Sequence, residues 1–281
     1  MIETAIPRPE LQRFVRIFAQ REHDGSEHRQ ADTASLVPIL AFAYGTSPIL
    51  KYEDGRSRVS PLIHLAGSQR RPSGMVGRLV GRYLGFGIFF RPLALWQLFR
   101  IPLTDITGGE ADGTDVFGSS IYSLWMRLGE CGSFRERIHV AEQYLLPFAL
   151  HAAPRTGVMK SAQYAHRNHG AIRIEELAHH TGLSVRQYER RFARELGLSP
   201  KLFTRISRFQ MALDLKRGAP DRSWMSVAHQ LGYFDQMHMV RDFQSLGGSL
   251  PGEILSHIGD FQPWSIVPPT KMGTFGLLTP P

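Results

Sequence analysis

The chain has 281 residues, enough for two domains of ordinary size, and 42% of them are hydrophobic, enough for buried cores. Its formal net charge of +8 favours an anionic partner, and residues 155–255 hold most of the excess, with 15 Lys and Arg against 9 Asp and Glu. The single cysteine, Cys131, excludes a disulfide framework. Since we find neither a bilayer-spanning apolar run nor a signal peptide, we expect a cytoplasmic protein without a membrane partner.

The first part of the chain predicts a small antiparallel sheet or open barrel. Residues 1–33 are polar and charged, and we interpret the stretch around residues 21–30 as a loop or a frayed helix end. From Ser35 onward, short apolar or alternating runs are separated by Gly, Pro, Asp and Ser, which is typical of strands and turns. Gly85-Phe86-Gly87 lacks the third glycine of a nucleotide-binding loop, so we assign it to a strand or bulge.

Helices are predicted after Pro92, and residues 134–150 give the clearest one. One face of it carries an apolar stripe at helical spacing: Phe134, Ile138, Ala141, Leu145 and Phe148. Such a stripe serves either packing within its own domain or an interface between two copies. We predict a homodimer through this helix.

Composition divides the chain into four segments. Residues 1–150 are predicted to be an α+β sensing or dimerisation domain, a small sheet or barrel with helices. Residues 151–160 contain Pro and Gly between two helical regions and are interpreted as a linker. Residues 161–257 are predicted to be all-α and to fold alone from about Lys160, and residues 258–281 to be an irregular, Pro-rich tail.

A spacing pattern occurs twice in the last third of the chain. Ala178 and Gly182 are followed by an Arg-x-Phe, a Gly and a Pro, and the same order follows Ala228 and Gly232 with one extra residue before the phenylalanine. A small residue four positions before a glycine, with a helix on each side, is what a helix-turn-helix requires. The all-α domain is therefore predicted to hold two helix-turn-helix units joined by a long helix, in a protein that reads double-stranded DNA with two helices.

The second helix of each predicted unit has a buried and an outward face. Val185, Tyr188, Phe192 and Leu196 share the inner face of the first, and Met239, Phe243 and Leu246 that of the second. The outward positions of the first are Arg186, Gln187, Arg190 and Arg194, and those of the second include Met237, His238 and Arg241. Arg and Gln can bond guanine and adenine edges, although exposed arginines also serve solubility alone. Between the units, a helix of about 27 Å is predicted from residue 200 to 217, with Arg205 and Arg208 placed to contact phosphates.

Residues 160–256 resemble the DNA-binding domain of the AraC/XylS family of bacterial transcription regulators. The resemblance lies in residues 176–201, in the joining helix, and above all in the second stretch, Val227 to Ile254, with its GYFDQ-x-H-x-x-RDF motif. It implies seven helices in two helix-turn-helix units and an activator that contacts RNA polymerase. It also assigns base contacts to Arg186, Glu189, Arg190, Gln236, Met237, His238 and Arg241. Residues 35–150 are similar, more weakly, to the sensing domains of such regulators.

Two other classes of function stay open at this stage. The first part could be an enzyme joined to a DNA-binding module, but one cysteine cannot form the four-thiolate zinc site of DNA-repair proteins of related architecture. The chain could also bind DNA without sequence preference, against which the paired helices argue. We therefore predict a regulator that is not an enzyme and has no cofactor or metal. Its small-molecule effector is unknown. Tyr52, His64, Tyr83 and Trp96 could line a pocket, but we favour core packing for each of them.

Overall fold

The computed structural model describes residues 2–23, 33–47, 49–51, 55–70, 76–78, 81–107, 110–168 and 172–257. The predicted Pro-rich tail and Tyr52 lie outside this part of the chain. The described strands are β1 Ile2–Ala5, β2 Val15–His23, β3 Ile39–Gly45, β4 Ile49–Lys51, β5 Ser57–Val59, β6 Ile63–Ala66, β7 Val76–Arg78, β8 Tyr83–Phe90 and β9 Glu110–Asp112.

Antiparallel pairing joins these strands into two sheets. Six strands form one sheet in the order β1-β2-β8-β3-β6-β9, and β5-β4-β7 form a smaller sheet. The interpretation of the stretch around residues 21–30 as a loop or a frayed helix end was wrong for residues 21–23, which form the end of β2. In β2, Ile17, Phe18 and Ala19 are all buried, because both faces of the sheet are covered. No alternation therefore marked this strand in the sequence. Gly85-Phe86-Gly87 lies within β8, as predicted.

Apart from α1, which precedes β9, the α-helices follow the strands in the chain, and the predicted fold class is confirmed. They are α1 Ala94–Phe99, α2 Gly113–Phe117, α3 Ser119–Glu130, α4 Phe134–Leu150, α5 Gly157–Arg167, α6 Ile174–His180, α7 Val185–Leu196, α8 Pro200–Gly218, α9 Trp224–Gln230, α10 Gln236–Gly247 and α11 Pro251–His257. Two short 3-10 helices, Pro9–Leu11 and Leu103–Asp105, complete the described elements. Helix α5 begins inside the segment that was interpreted as a linker.

One face of the larger sheet packs against α1, α3 and α4. Phe18, Phe42 and Phe86 from the strands share a hydrophobic cluster with Ala141 and Leu145 of α4. The other stripe residues, Phe134, Ile138 and Phe148, pack against the same cluster. The stripe of α4 is therefore core, and its assignment to a homodimer interface was wrong. The stripe packs against the apolar face of the sheet. The periodicity of one helix cannot reveal which surface that helix packs against.

The opposite face of the sheet packs against the C-terminal helices. Ile17, Ile39 and Phe89 belong to one continuous hydrophobic cluster with buried residues of α5, α7, α8 and α10. Backbone and side-chain bonds cross the same boundary: Ala34 N donates to Leu246 O at 2.7 Å, and Gln210 Nε2 donates to Ser35 Oγ at 3.5 Å. The two predicted domains thus share a core.

A buried charge lies at this boundary. The carboxyl of Asp214, on α8, faces Arg16 of β2 and Arg217 of its own helix, and its Oδ1 atom is buried. Burial raises the pKa of Asp214 from its ordinary 3.8 to about 8, against the opposing effect of the two arginines. Burial also lowers the pKa of Arg16 to about 10. The carboxyl group is therefore protonated across much of the neutral range.

We expect Asp214→Asn to flatten the pH dependence of stability. The unfolded chain releases this proton near pH 4 and the folded chain only near pH 8, so the free energy of unfolding falls as pH rises between those values. Urea unfolding at several pH values should show the free energy of unfolding of the variant rising relative to that of the wild type as pH approaches 8. Parallel pH profiles for the two proteins would contradict a protonated Asp214.

We expect a fragment of residues 155–257 to be more stable than one of residues 160–257. The longer fragment keeps Thr156, whose hydroxyl caps α5 at Met159 N and also donates to the carboxylate of Glu195 on α7. It also keeps Val158 and Met159, which are buried. Losing the cap alone costs about 1 kcal/mol. Chemical denaturation of both fragments beside the full chain tests this, and equal midpoints for the fragments would contradict it.

Candidate nucleic-acid interface

The turns of the two helix-turn-helix units are closed by the same backbone bond and contain a glycine with the same φ. In α6–α7 the turn is closed by Leu183 N donating to Ala178 O at 3.2 Å, and in α9–α10 by Tyr233 N donating to Ala228 O at 3.0 Å. Gly182 and Gly232 both have φ of 68°. A Cβ at either glycine would meet open space, so the positive φ alone requires glycine there.

Each second helix is capped at both ends. The Ser184 hydroxyl accepts from Gln187 N at 3.3 Å, and the Asp235 carboxylate accepts from His238 N at 2.6 Å. Gly197 and Gly248 end the helices with φ of 80° and 78°. The turn of the second unit has one residue more between its glycine and its cap than the first has. These caps fix the start and the end of α7 and α10 and therefore the rotation of each helix about its axis.

Buried residues confirm the predicted inner faces. Tyr188, Phe192 and Leu196 of α7 are buried, as are Met239, Phe243 and Leu246 of α10. The prediction was wrong for Val185, which is exposed because it is the first residue of α7 and lies beyond the core. With the inner face fixed, the residues two positions before the buried phenylalanines, Arg190 and Arg241, are exposed on the outside.

Most of the predicted DNA-reading residues share this exposure. The exposed set is Arg186, Gln187, Glu189, Arg190, Arg194, Gln236, Met237 and Arg241. Two of them also serve the fold. Gln187 Oε1 accepts from Ser184 N in the capping box, and the Arg194 guanidinium lies 5.3 Å from the centre of the Trp96 ring in α1. His238 is half-buried, with its ring edge against Tyr233.

Arg205 and Arg208 join α8 to the second unit. Arg205 Nε donates to Asp242 Oδ1 at 2.9 Å, and Arg208 lies 4.8 Å from the centre of the Tyr233 ring. Both residues were predicted to contact phosphates. The contacts within the chain give each of them a structural role that does not depend on DNA.

One buried carboxylate anchors each outward-facing helix. Asp242 on α10 is 4% exposed and pairs with Arg205 of α8. Glu195 on α7 is 2% exposed, accepts from Arg191 Nε at 2.7 Å and also accepts from the Thr156 hydroxyl. Sequence reasoning missed both anchors. The signal was an acidic residue beside the apolar positions of the inner face, where an unpaired charge would be costly.

The candidate effector residues do not meet in one pocket. His64 is bonded to Ser60 through Nδ1 at 3.2 Å, and burial lowers its pKa to about 4. Trp96 contacts Arg194 instead. Tyr83 lines a recess of only about 20 Å³ on the sheet, beside Ala19, Ala41 and Gly87. Within the described residues, no group of three or more His, Cys, Asp and Glu is arranged to hold a metal ion, and none of the helices in that part is long and apolar enough to cross a membrane.

We expect Arg205→Ala to destabilise the second unit more than the loss of an arginine that contacts only phosphates would. The substitution leaves the Asp242 carboxylate buried and unpaired, which costs about 3 kcal/mol when the partner of a buried pair is removed. Lys201→Ala, at an exposed position of the same helix, is the matched control. Urea unfolding should separate the two variants without DNA. Equal stability for both would contradict the anchoring role.

Comparison with known proteins agrees with this geometry. Residues 177–257 match the family described as "Helix-turn-helix domain", whereas no curated protein sequence matches the chain. Among solved structures, ToxT from Vibrio cholerae O395 is similar over 87% of this chain and 99% of its own, with 9% identity and a TM-score of 0.47. The AraC-like transcriptional activator CuxR is similar over 75% of this chain and 86% of its own, with 13% identity and a TM-score of 0.29.

The two kinds of similarity differ in what they establish. TM-scores below 0.5 at such low identity decide neither the arrangement of the whole chain nor its function. The family match covers the first helix-turn-helix unit from Leu177 within α6, the joining helix and the whole second unit. Residues 177–257 of this chain are a helix-turn-helix domain of the AraC type.

Proposed function

We propose that this protein is a sequence-specific transcription regulator that binds double-stranded DNA through residues 161–257. The observation that carries the proposal is the pair of capped helices, α7 and α10, which present exposed Arg190 and Arg241 at equivalent positions. Guanidinium groups form bidentate bonds with guanine edges and charge-assisted bonds with phosphates. The excess of basic residues over this region supports an anionic partner.

Helix α8 supports the proposal that one chain reads two grooves. It has 19 residues and is therefore about 28 Å long, close to the ~34 Å of one DNA turn. Both units pack against it, through Phe203 and Phe209 among others. In this proposal Arg186, Glu189 and Arg190 contact bases from α7, and Gln236, Met237, His238 and Arg241 from α10. Gln187 and Arg194 contribute to the same surface.

The N-terminal region is proposed to control binding. It packs on α5, α7, α8 and α10 through a shared core, so a change in the sheet would be transmitted to the helices that read DNA. The proposal includes a small-molecule effector but does not place it in the recess beside Tyr83, because about 20 Å³ is far below the ~300 Å³ of a typical ligand pocket. Activation through RNA polymerase, a cytoplasmic location and a homodimer that does not use the α4 stripe complete the proposal.

We expect Arg190→Ala and Arg241→Ala each to weaken specific binding by about 1–3 kcal/mol and to relax the preference at one base pair. Arg135→Ala, an exposed arginine on α4, removes the same charge far from the proposed surface and is the control. Selection of bound DNA from a random pool, followed by titration of each variant, provides the measurement. Unchanged affinity in both recognition-helix variants would contradict the proposed contacts.

The same selection separates the other two classes of function. Discrete selected sites support a sequence-specific regulator. Uniform recovery of the pool would instead support a DNA binder without sequence preference. An enzyme joined to a DNA-binding module would require a reaction in the N-terminal region, and the family match gives no support for one because it begins at residue 177.

A further inference from the structure

The second helix-turn-helix unit exposes two large apolar side chains where it would approach DNA. Phe234, in the turn before α10, is 93% exposed, and Met237, in the first turn of α10, is 57% exposed. Asp235 lies between them and caps the helix. A phenyl ring and a thioether left in water at the start of a recognition helix contribute nothing to the core of the unit. What distinguishes them from other exposed apolar residues is their position at the start of α10, the helix proposed to contact DNA.

The first unit provides an internal reference for these positions. Ser184 and Asp235 are the caps, so Met237 corresponds to Arg186, the second residue of its helix. Leu183 and Tyr233 make the same turn bond, so Phe234 is the extra residue of the longer turn. The second unit therefore has a thioether where the first has a guanidinium, and it adds a phenyl ring beside it.

The second recognition helix, α10, also carries less positive charge than α7. Helix α7 carries four exposed arginines, Arg186, Arg190, Arg191 and Arg194, whereas Arg241 is the one arginine of α10. Met237 and Arg241 are four residues apart, and so are Arg186 and Arg190. Each pair therefore lies along one face of its helix. Met237 occupies the base-facing row of α10 but cannot form the bidentate bonds that arginine forms.

We propose that Met237 and Phe234 recognise the 5-methyl groups of thymine in the half-site read by α10. The methyl group is the one apolar feature that a base pair presents in the major groove, and apolar side chains contact it. Met237 suits this contact because its unbranched, polarisable side chain adapts to a surface. The two half-sites then differ chemically: α7 reads through guanidinium bonds, and α10 adds apolar contacts to thymine. This inference rests on the proposed function.

Replacing thymine by uracil tests this contact directly, because uracil lacks the methyl group and keeps every hydrogen-bonding group. The full chain is first titrated on the DNA selected from the random pool, with protection footprints to assign each half-site. Single deoxyuridine substitutions are then made at every thymine. We expect about four-fold weaker binding for each contacted methyl, the effect of one buried methyl-sized group, in the α10 half-site.

Variants link the lost methyl to the side chains. Met237→Ala and Phe234→Ala should each weaken binding to DNA that contains thymine. Each should also remove the difference in affinity between thymine and uracil DNA at the methyl group that the lost side chain contacts. Both positions are exposed, so the fold should survive either change. Met225→Ala is the matched control, since Met225 is 67% exposed on the supporting helix α9 and should leave the thymine preference intact.

The outcomes distinguish this inference from the function on which it rests. Failure of the wild-type chain to select any DNA sequence would overturn the proposed function. Specific binding with no effect of uracil in the α10 half-site, or with full uracil sensitivity in Met237→Ala, would overturn the thymine contact alone. If Phe234→Ala and Met237→Ala bind DNA like the wild type but lose transcription with purified polymerase, the apolar pair contacts a protein and the inference is wrong.

Discussion

Burial of helix α8 on several sides is the constraint on which the rest of the structure depends. Phe203, Ile206, Phe209 and Leu213 are all fully buried along its length. They join one cluster that includes both helix-turn-helix units and one face of the N-terminal sheet. A helix enclosed in this way cannot rotate or slide without disturbing each neighbour, because packed cores resist continuous deformation. The relative positions of α7 and α10 are therefore set by α8 and by the buried carboxylates, Glu195 and Asp242.

The two units show how a repeated backbone can carry different chemistry. Turn bonds, caps and positive-φ glycines coincide between them, since these features are needed to make the fold. Outward side chains are free of that requirement, and there the units differ most, with arginine in the first and methionine in the second at the corresponding Arg186 and Met237. Because the outward side chains of α7 and α10 differ, two units of the same fold can read two different half-sites.

Local patterns predicted the C-terminal region well and the arrangement of the whole chain less well. The spacing of Gly182 and Gly232, the capping residues Ser184 and Asp235, and the inner phenylalanines act over a few residues, so the sequence displays them directly. Strand β2 was missed because both faces of the sheet are covered. The partners of Arg205 and Arg208 were missed because they come from the second unit, some 25 to 37 residues away. Contacts between distant elements leave no periodic signal.

Rigid attachment of α7 and α10 to α8 is tested most directly by footprinting with altered half-site spacing. Hydroxyl-radical footprints of the full chain on its selected DNA should show two protected patches on one side of the duplex, about one turn apart. Inserting about half a turn of DNA between the half-sites should remove one patch, because a fixed α8 cannot follow the rotation. Equal protection of both half-sites before and after the insertion would contradict a rigid pair of recognition helices.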